Sequence, residues 1–132
     1  MSNPPFSIQL SVRDYELDSQ GVVNNAVYQH YLEHARHEFL KSIGLNFNTL
    51  HEQGTDAVVH KAELVYKRAL RGDDRCEIQV TARKEGNVRF QFHQTIVRLP
   101  DKEPVLDAVI TAVFIQNGRP IRPPQEVRDA IR

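Results

Sequence analysis

Three carboxylates stand close together in Val12-Arg13-Asp14-Tyr15-Glu16-Leu17-Asp18-Ser19-Gln20-Gly21-Val22-Val23-Asn24-Asn25-Ala26-Val27-Tyr28. After them come a glycine, two valines and a pair of asparagines, residues well suited to cap a helix at its amino end. A helix start offers unpaired backbone N–H groups and the positive end of the macrodipole, so it can polarise a carbonyl or hold an oxyanion. Asp18 lies seven residues before Asn25, and Gly21 permits a tight turn that returns its carboxylate to those donors. A carboxylate facing an oxyanion site is the minimum equipment for hydrolysing an activated acyl group. Spacing alone does not separate Asp18 from Asp14 and Glu16. Three solvated loop charges explain the same pattern more simply.

The elements that must position this segment are legible on either side of it. Ile8, Leu10 and Val12 alternate with polar residues, which predicts a first strand. At about 100° per residue, Tyr28, Tyr31, Leu32, Ala35, Phe39 and Ile43 fall in one apolar stripe, which predicts a helix over 24–43. Gly44 is its stop signal. A loop is expected near 49–55. Four strands are expected after it, over 58–68, 76–84, 88–99 and 105–116, with turns at Gly72-Asp73 and Gly86-Asn87 and a break at 100–104. In the first of these, Val58, Ala62, Leu64 and Tyr66 are read on one face. The tail from 119 is proline-rich and basic, with a short final helix from Pro124.

This order predicts a single α+β domain spanning 1–132, one long helix wrapped by a curved five-stranded antiparallel sheet. The last strand is apolar on both faces, with Leu106, Ala108, Ile110, Ala112 and Phe114 on one and Val109, Val113 and Ile115 on the other. One helix can cover only one face, so a homo-oligomer is expected.

The helix also carries His30-Tyr31-Leu32-Glu33-His34, an H-x-x-E-H pattern, with His37 beyond it. These histidines lie about 180° from the apolar stripe, so they are expected to face away from the sheet, and no metal is expected. Cys76 is the sole cysteine, which excludes an internal disulfide and reads as a buried thiol in a strand. No G-x-S-x-G elbow or glycine-rich phosphate loop occurs.

The run Asp18-x-x-Gly21-Val22-Val23-Asn24-Asn25-x-x-Tyr28-x-x-Tyr31 closely resembles the signature of the hot-dog-fold thioesterases of the 4-hydroxybenzoyl-CoA thioesterase type. The stretch 12–44, with Arg36-His37-Glu38-Phe39-Leu40, is more similar still to the plant plastid acyl-lipid thioesterases and their bacterial relatives. Arg71-Gly72-Asp73, Leu99-Pro100 and Pro104-Val105-Leu106 fit the same subgroup. The resemblance implies a hot-dog fold and an acyl thioesterase acting on acyl-CoA or acyl-carrier-protein thioesters. It implies that Asp18 attacks the thioester carbonyl or activates a water, and that the Asn25 N–H holds the carbonyl oxygen. It places Gly21, Val22, Val23, Asn24 and Tyr28 around the substrate, in a site between two subunits of a dimer or a dimer of dimers. Many bacterial acyl-CoA members carry histidine where this chain has Asn25, so their short-chain preference does not transfer. Hot-dog hydratases need a histidine in their signature, and none stands beside Asp18. Aromatic thioesterases, acting on 1,4-dihydroxy-2-naphthoyl-CoA or 4-hydroxybenzoyl-CoA, and a non-catalytic acyl-binding subunit are the alternatives.

Arg36 either approaches this site or pairs with Glu33. Lys67 and Arg68, clustered with Arg71 and Arg75 at one strand end, are candidates for the carrier's phosphates. The formal net charge is zero, so no overall field draws the chain to nucleic acid or an anionic membrane. No apolar run approaches the roughly 20 residues that span a bilayer, and residues 1–5 do not read as a signal or transit segment. A cytoplasmic enzyme with no bound cofactor is expected.

Overall fold

The computed structural model describes residues 5–131, apart from the side chain of Phe47. Residues 1–4, read above for targeting, lie outside the described residues. The chain opens with β1 (Phe6–Ser11), then passes through a 3-10 turn at Asp14–Glu16 into α1 (Asn25–Ser42). The two asparagines divide their work. Asn24 is the cap, its side chain accepting the Ala26 N–H at 2.9 Å, and Asn25 is the first helical residue. α1 buries Tyr28, Tyr31, Leu32, Ala35 and Leu40, while Phe39 and Ile43 sit half-buried at the rim. Gly44 takes φ +84°, a left-handed conformation that side chains with a Cβ resist, so the helix stops there.

A short α2 (Phe47–Glu52) occupies part of the stretch expected to be loop. Asn46 caps it by accepting the N–H groups of Asn48 and Thr49, and buried Leu50 pins it. Six residues are too few for a periodicity to show. Then follow β2 (Thr55–Tyr66), β3 (Arg75–Glu85), β4 (Arg89–Leu99), β5 (Glu103–Gln116), β6 (Arg119–Ile121) and α3 (Gln125–Ala130). The strands form one antiparallel sheet in the order β1-β3-β4-β5-β2, so its count is six rather than five. β6 pairs with β5 beyond Val113, where the β4 ladder ends. Asn117 and Gly118, at φ 53° and 76°, make the tight turn that returns it.

The inner face of the sheet packs on α1. Cys76, Ile78 and Val80 of β3, Phe90, Phe92 and Ile96 of β4, and Leu106, Ala108, Ile110 and Phe114 of β5 are all buried there. Each fully buried large side chain contributes about 1.5–3 kcal/mol to this core. Gln94 is the polar member of that face. Its Nε2 donates to the Leu32 carbonyl and its Oε1 accepts from Arg36 Nη1, both at 3.0 Å.

β2 is an edge strand paired only with β5, and one residue, His60, is extra to the ladder between Val59 and Lys61. That bulge reverses the alternation. Val59, not Val58, shares the inner face with Ala62, Leu64 and Tyr66, opposite Ala112, Ile110, Ala108 and Leu106. The outer face of β5 is less open than its composition suggests, because Thr111 and Val113 are already buried and Val109 and Ile115 half-buried. The large exposed apolar side chains gather instead on β2, at Val58, Val59, Val65 and Tyr66. Among the described residues, no helix is long and apolar enough to cross a membrane.

Candidate active site

The three carboxylates that spacing left equivalent have three different environments. Asp14 is exposed at the 3-10 turn. Glu16 is 7% exposed, and its Oε1 accepts both the Arg13 N–H at 2.8 Å and the Tyr31 hydroxyl at 2.7 Å. That bond and burial raise the Tyr31 pKa, with burial the larger cause, so the tyrosine stays a donor. Glu16 is therefore a brace joining the loop to the middle of α1. Asp18 is exposed, and its Oδ1 accepts the N–H groups of Gln20 and Val22 at 2.8 and 3.3 Å. Gly21, at φ +77°, closes the Asp18–Val22 turn, in which Asp18 N–H donates to Val22 O and Gly21 N–H to Asp18 O.

This turn is tied down on both sides. Leu17 bridges to Val23 and Val22 to Arg71, while Val23 N–H donates to Leu70 O at 2.9 Å. The buried Tyr28 hydroxyl accepts the Leu70 N–H at 2.9 Å, so the helix's first turn holds the 69–71 segment directly. The result is a groove of about 520 Å³ bounded by Asp18, Val22, Val23, Asn24, Asn25 and Tyr28 on one side, and by Tyr66, Lys67, Arg68 and Ala69 on the other. In the helix's first turn, Asn24 N–H donates to Glu16 O, Ala26 N–H to Asn24 Oδ1 and Val27 N–H to Asn24 O. Asn25 N–H has no acceptor among the described residues.

Most of the residues singled out in sequence thus converge. Gly21 shapes the turn without lining the groove. Lys67 and Arg68 do line it, partly offset by Asp107 at 2.7 Å and Glu103 at 3.3 Å. Arg36 does not. It sits further along α1, bonded to Gln94, with the Glu33 charge nearby. His30, His34 and His37 are exposed as expected, but His30 also borders a second groove between α1 and β2. No cluster of His, Cys, Asp or Glu able to hold a metal occurs among the described residues. Tyr66, which the sequence places only on a strand face with Ala62 and Leu64, is 47% exposed at the groove with its ring 5.7 Å from that of Tyr28.

Residues 12–131 match the thioesterase-like superfamily. The chain belongs to that family. This thioesterase-like domain is 43% identical over 122 residues to an acyl-acyl carrier protein thioesterase, ATL2, chloroplastic, of Arabidopsis thaliana. That alignment takes in 92% of this chain and 65% of the plant protein, so the domain spans less than two thirds of that relative's length. It is 30% identical over 128 residues to a putative esterase of Aquifex aeolicus, covering 97% of this chain and 98% of the relative. A 1,4-dihydroxy-2-naphthoyl-CoA thioesterase from Synechocystis shares the fold, with a TM-score of 0.91 at 19% identity over 96% of this chain and 94% of that one. The architecture of the thioesterase-like domain is the hot-dog fold that its signature implied.

Proposed function

We propose that the thioesterase-like domain hydrolyses acyl thioesters carried on coenzyme A or acyl carrier protein, with Asp18 as the catalytic carboxylate and the Asn25 N–H as oxyanion donor. One observation carries this reading: the exposed Asp18 and Asn25, whose N–H meets no acceptor among the described residues, line the same groove. A thioester carbonyl oxygen lodged on Asn25 N–H is polarised by that donor and by the helix dipole, where charge develops on attack. Asp18 then supplies the attack in one of two ways. As a nucleophile it forms a mixed anhydride and expels the thiolate, and water hydrolyses the anhydride. As a general base it takes a proton from water, whose oxygen adds to the carbonyl. Both routes end in a carboxylic acid and a free thiol, and neither needs a metal or bound cofactor.

Lys67 and Arg68 at the groove mouth suit the phosphates of either carrier. The open β2 edge and its exposed valines favour a homo-oligomer, dimer or dimer of dimers, and the protein is assigned to the cytoplasm in this reading. The deciding experiment is Asp18→Asn, which keeps an oxygen acceptor for Gln20 and Val22 and so keeps the turn. Substrate binding retained with turnover lowered by about 10²–10⁴ supports the assignment. Wild-type turnover in that variant sinks it. Binding without hydrolysis by the native protein, across aliphatic and aromatic thioesters, identifies a non-catalytic acyl-binding subunit instead.

A further inference from the structure

Two more cavities follow the candidate site along the seam between α1 and the inner face of β2. The first, about 340 Å³, has an apolar floor of Leu32, Val59, Ala62 and Ile110 under a polar rim of Gln29, His30 and Glu33, and the second, about 80 Å³, reaches Phe90 and Phe92. Arg36 borders both. It is a half-buried cation whose one hydrogen bond among the described residues runs from Nη1 to Gln94 Oε1, and Gln94 is fixed in turn on the Leu32 carbonyl. Side chains on a helix lean toward its amino end, so the guanidinium lies near the level of Leu32 rather than of its own Cα. The remaining donors of Arg36 must keep water or another acceptor, and methylenes pressed over them would strip that away.

We propose that Arg36, locked by Gln94, is the polar end wall of an acyl channel along the α1–β2 seam and sets the upper limit of acyl length. The inference rests on the thioesterase reading above. From Asn25 to Leu32 the helix rises about 10 Å. An extended chain advances about 1.2 Å per atom, so about eight or nine carbons fill the seam before meeting the guanidinium.

The test is a kcat/KM series over saturated acyl-CoA substrates of 6 to 16 carbons, for the native protein and for Arg36→Met. The native profile is expected to fall by at least about tenfold between 8 and 12 carbons, since even one methylene too many costs a closed pocket about that factor. Arg36→Met is expected to raise the 14-to-8-carbon ratio by a similar factor, and Arg36→Lys to leave it near the native value. A merely structural role would lower all lengths together. If Arg36→Met does not fold because Gln94 loses its partner, the Arg36→Met/Gln94→Leu pair removes both polar ends at once. A native profile flat through 16 carbons overturns the inference, as does a folded Arg36→Met with an unchanged ratio, and in both cases hydrolysis itself stands. No hydrolysis at any length overturns the proposed function and this inference with it.

Discussion

Tyr31→Phe isolates the brace beneath the candidate site. The substitution deletes one hydroxyl and leaves the ring, so the packing of Tyr31 (5% exposed) on its neighbours survives. What is lost is the 2.7 Å bond to the 7%-exposed Glu16. The carboxylate keeps the Arg13 N–H at 2.8 Å and the Arg13 guanidinium at 3.9 Å, so it is weakened rather than stranded. A hydrogen bond to a charged group is worth about 1.5–3 kcal/mol, and the remaining partners place the loss near 2 kcal/mol. For a chain of this length that corresponds to about 8 °C in Tm, measured by thermal melts at fixed protein concentration. Turnover should fall too, because Glu16 O receives the Asn24 N–H and so sets where the helix begins relative to Asp18. A double-mutant cycle with Glu16→Gln should return a coupling above about 1 kcal/mol. A melt of Tyr31→Phe within about 2 °C of the native protein refutes the brace, whatever happens to activity.

Three further outcomes follow from the same geometry. Burial pushes the Cys76 thiol up to about 12, and its side chain is fully enclosed, so thiol reagents should label it only after denaturation; rapid labelling of the native protein would contradict that burial. Lys67→Ala and Arg68→Ala should each raise KM for coenzyme A thioesters by about two- to fivefold with smaller changes in kcat, and the effect should fade with added salt; a salt-independent change would argue against a phosphate contact. Burial lowers the His37 pKa, with Glu33 opposing, so the unfolded chain takes up the proton first as pH falls. Stability tied to His37 is thus complete above about pH 6.5 and lost below it, and urea midpoints for His37→Gln should lose less between pH 7 and 5.5 than native ones.

Long elements were legible because their patterns repeat. The stripe from Tyr28 to Ile43 and the doubly apolar β5 each offer several independent votes for one conformation. Single-residue events leave no such pattern. The extra residue at His60 is silent in composition, and it moved Val58 and Val59 to opposite faces from those expected. β6 carried a usable signal in Asn117-Gly118, masked by Pro120 in a tail that read as irregular. Asp18, Asn25 and Tyr28 could be read together because they lie close in sequence, and they do line one groove, although only the family resemblance favoured Asp18 over Asp14 and Glu16. Glu16 was not distinguished from its neighbours, since a carboxylate in a loop reads as solvated until Tyr31, fifteen residues on, is seen to enclose it. The Arg36–Gln94 contact spans 58 positions, and no local pattern announces a pair so far apart.

The bulge in β2 has a consequence for how the chain behaves at high concentration. A twelve-residue, valine-rich border with unpaired backbone groups is a template on which foreign strands grow, as they do in fibrils. The extra residue at His60 splits that template into two short ladders whose hydrogen-bonding phases do not match. A straight incoming strand can follow one ladder but falls out of step at the other. Only a strand carrying a compensating kink at the matching position can zip along the full length, so the border discriminates by shape against runaway polymerisation.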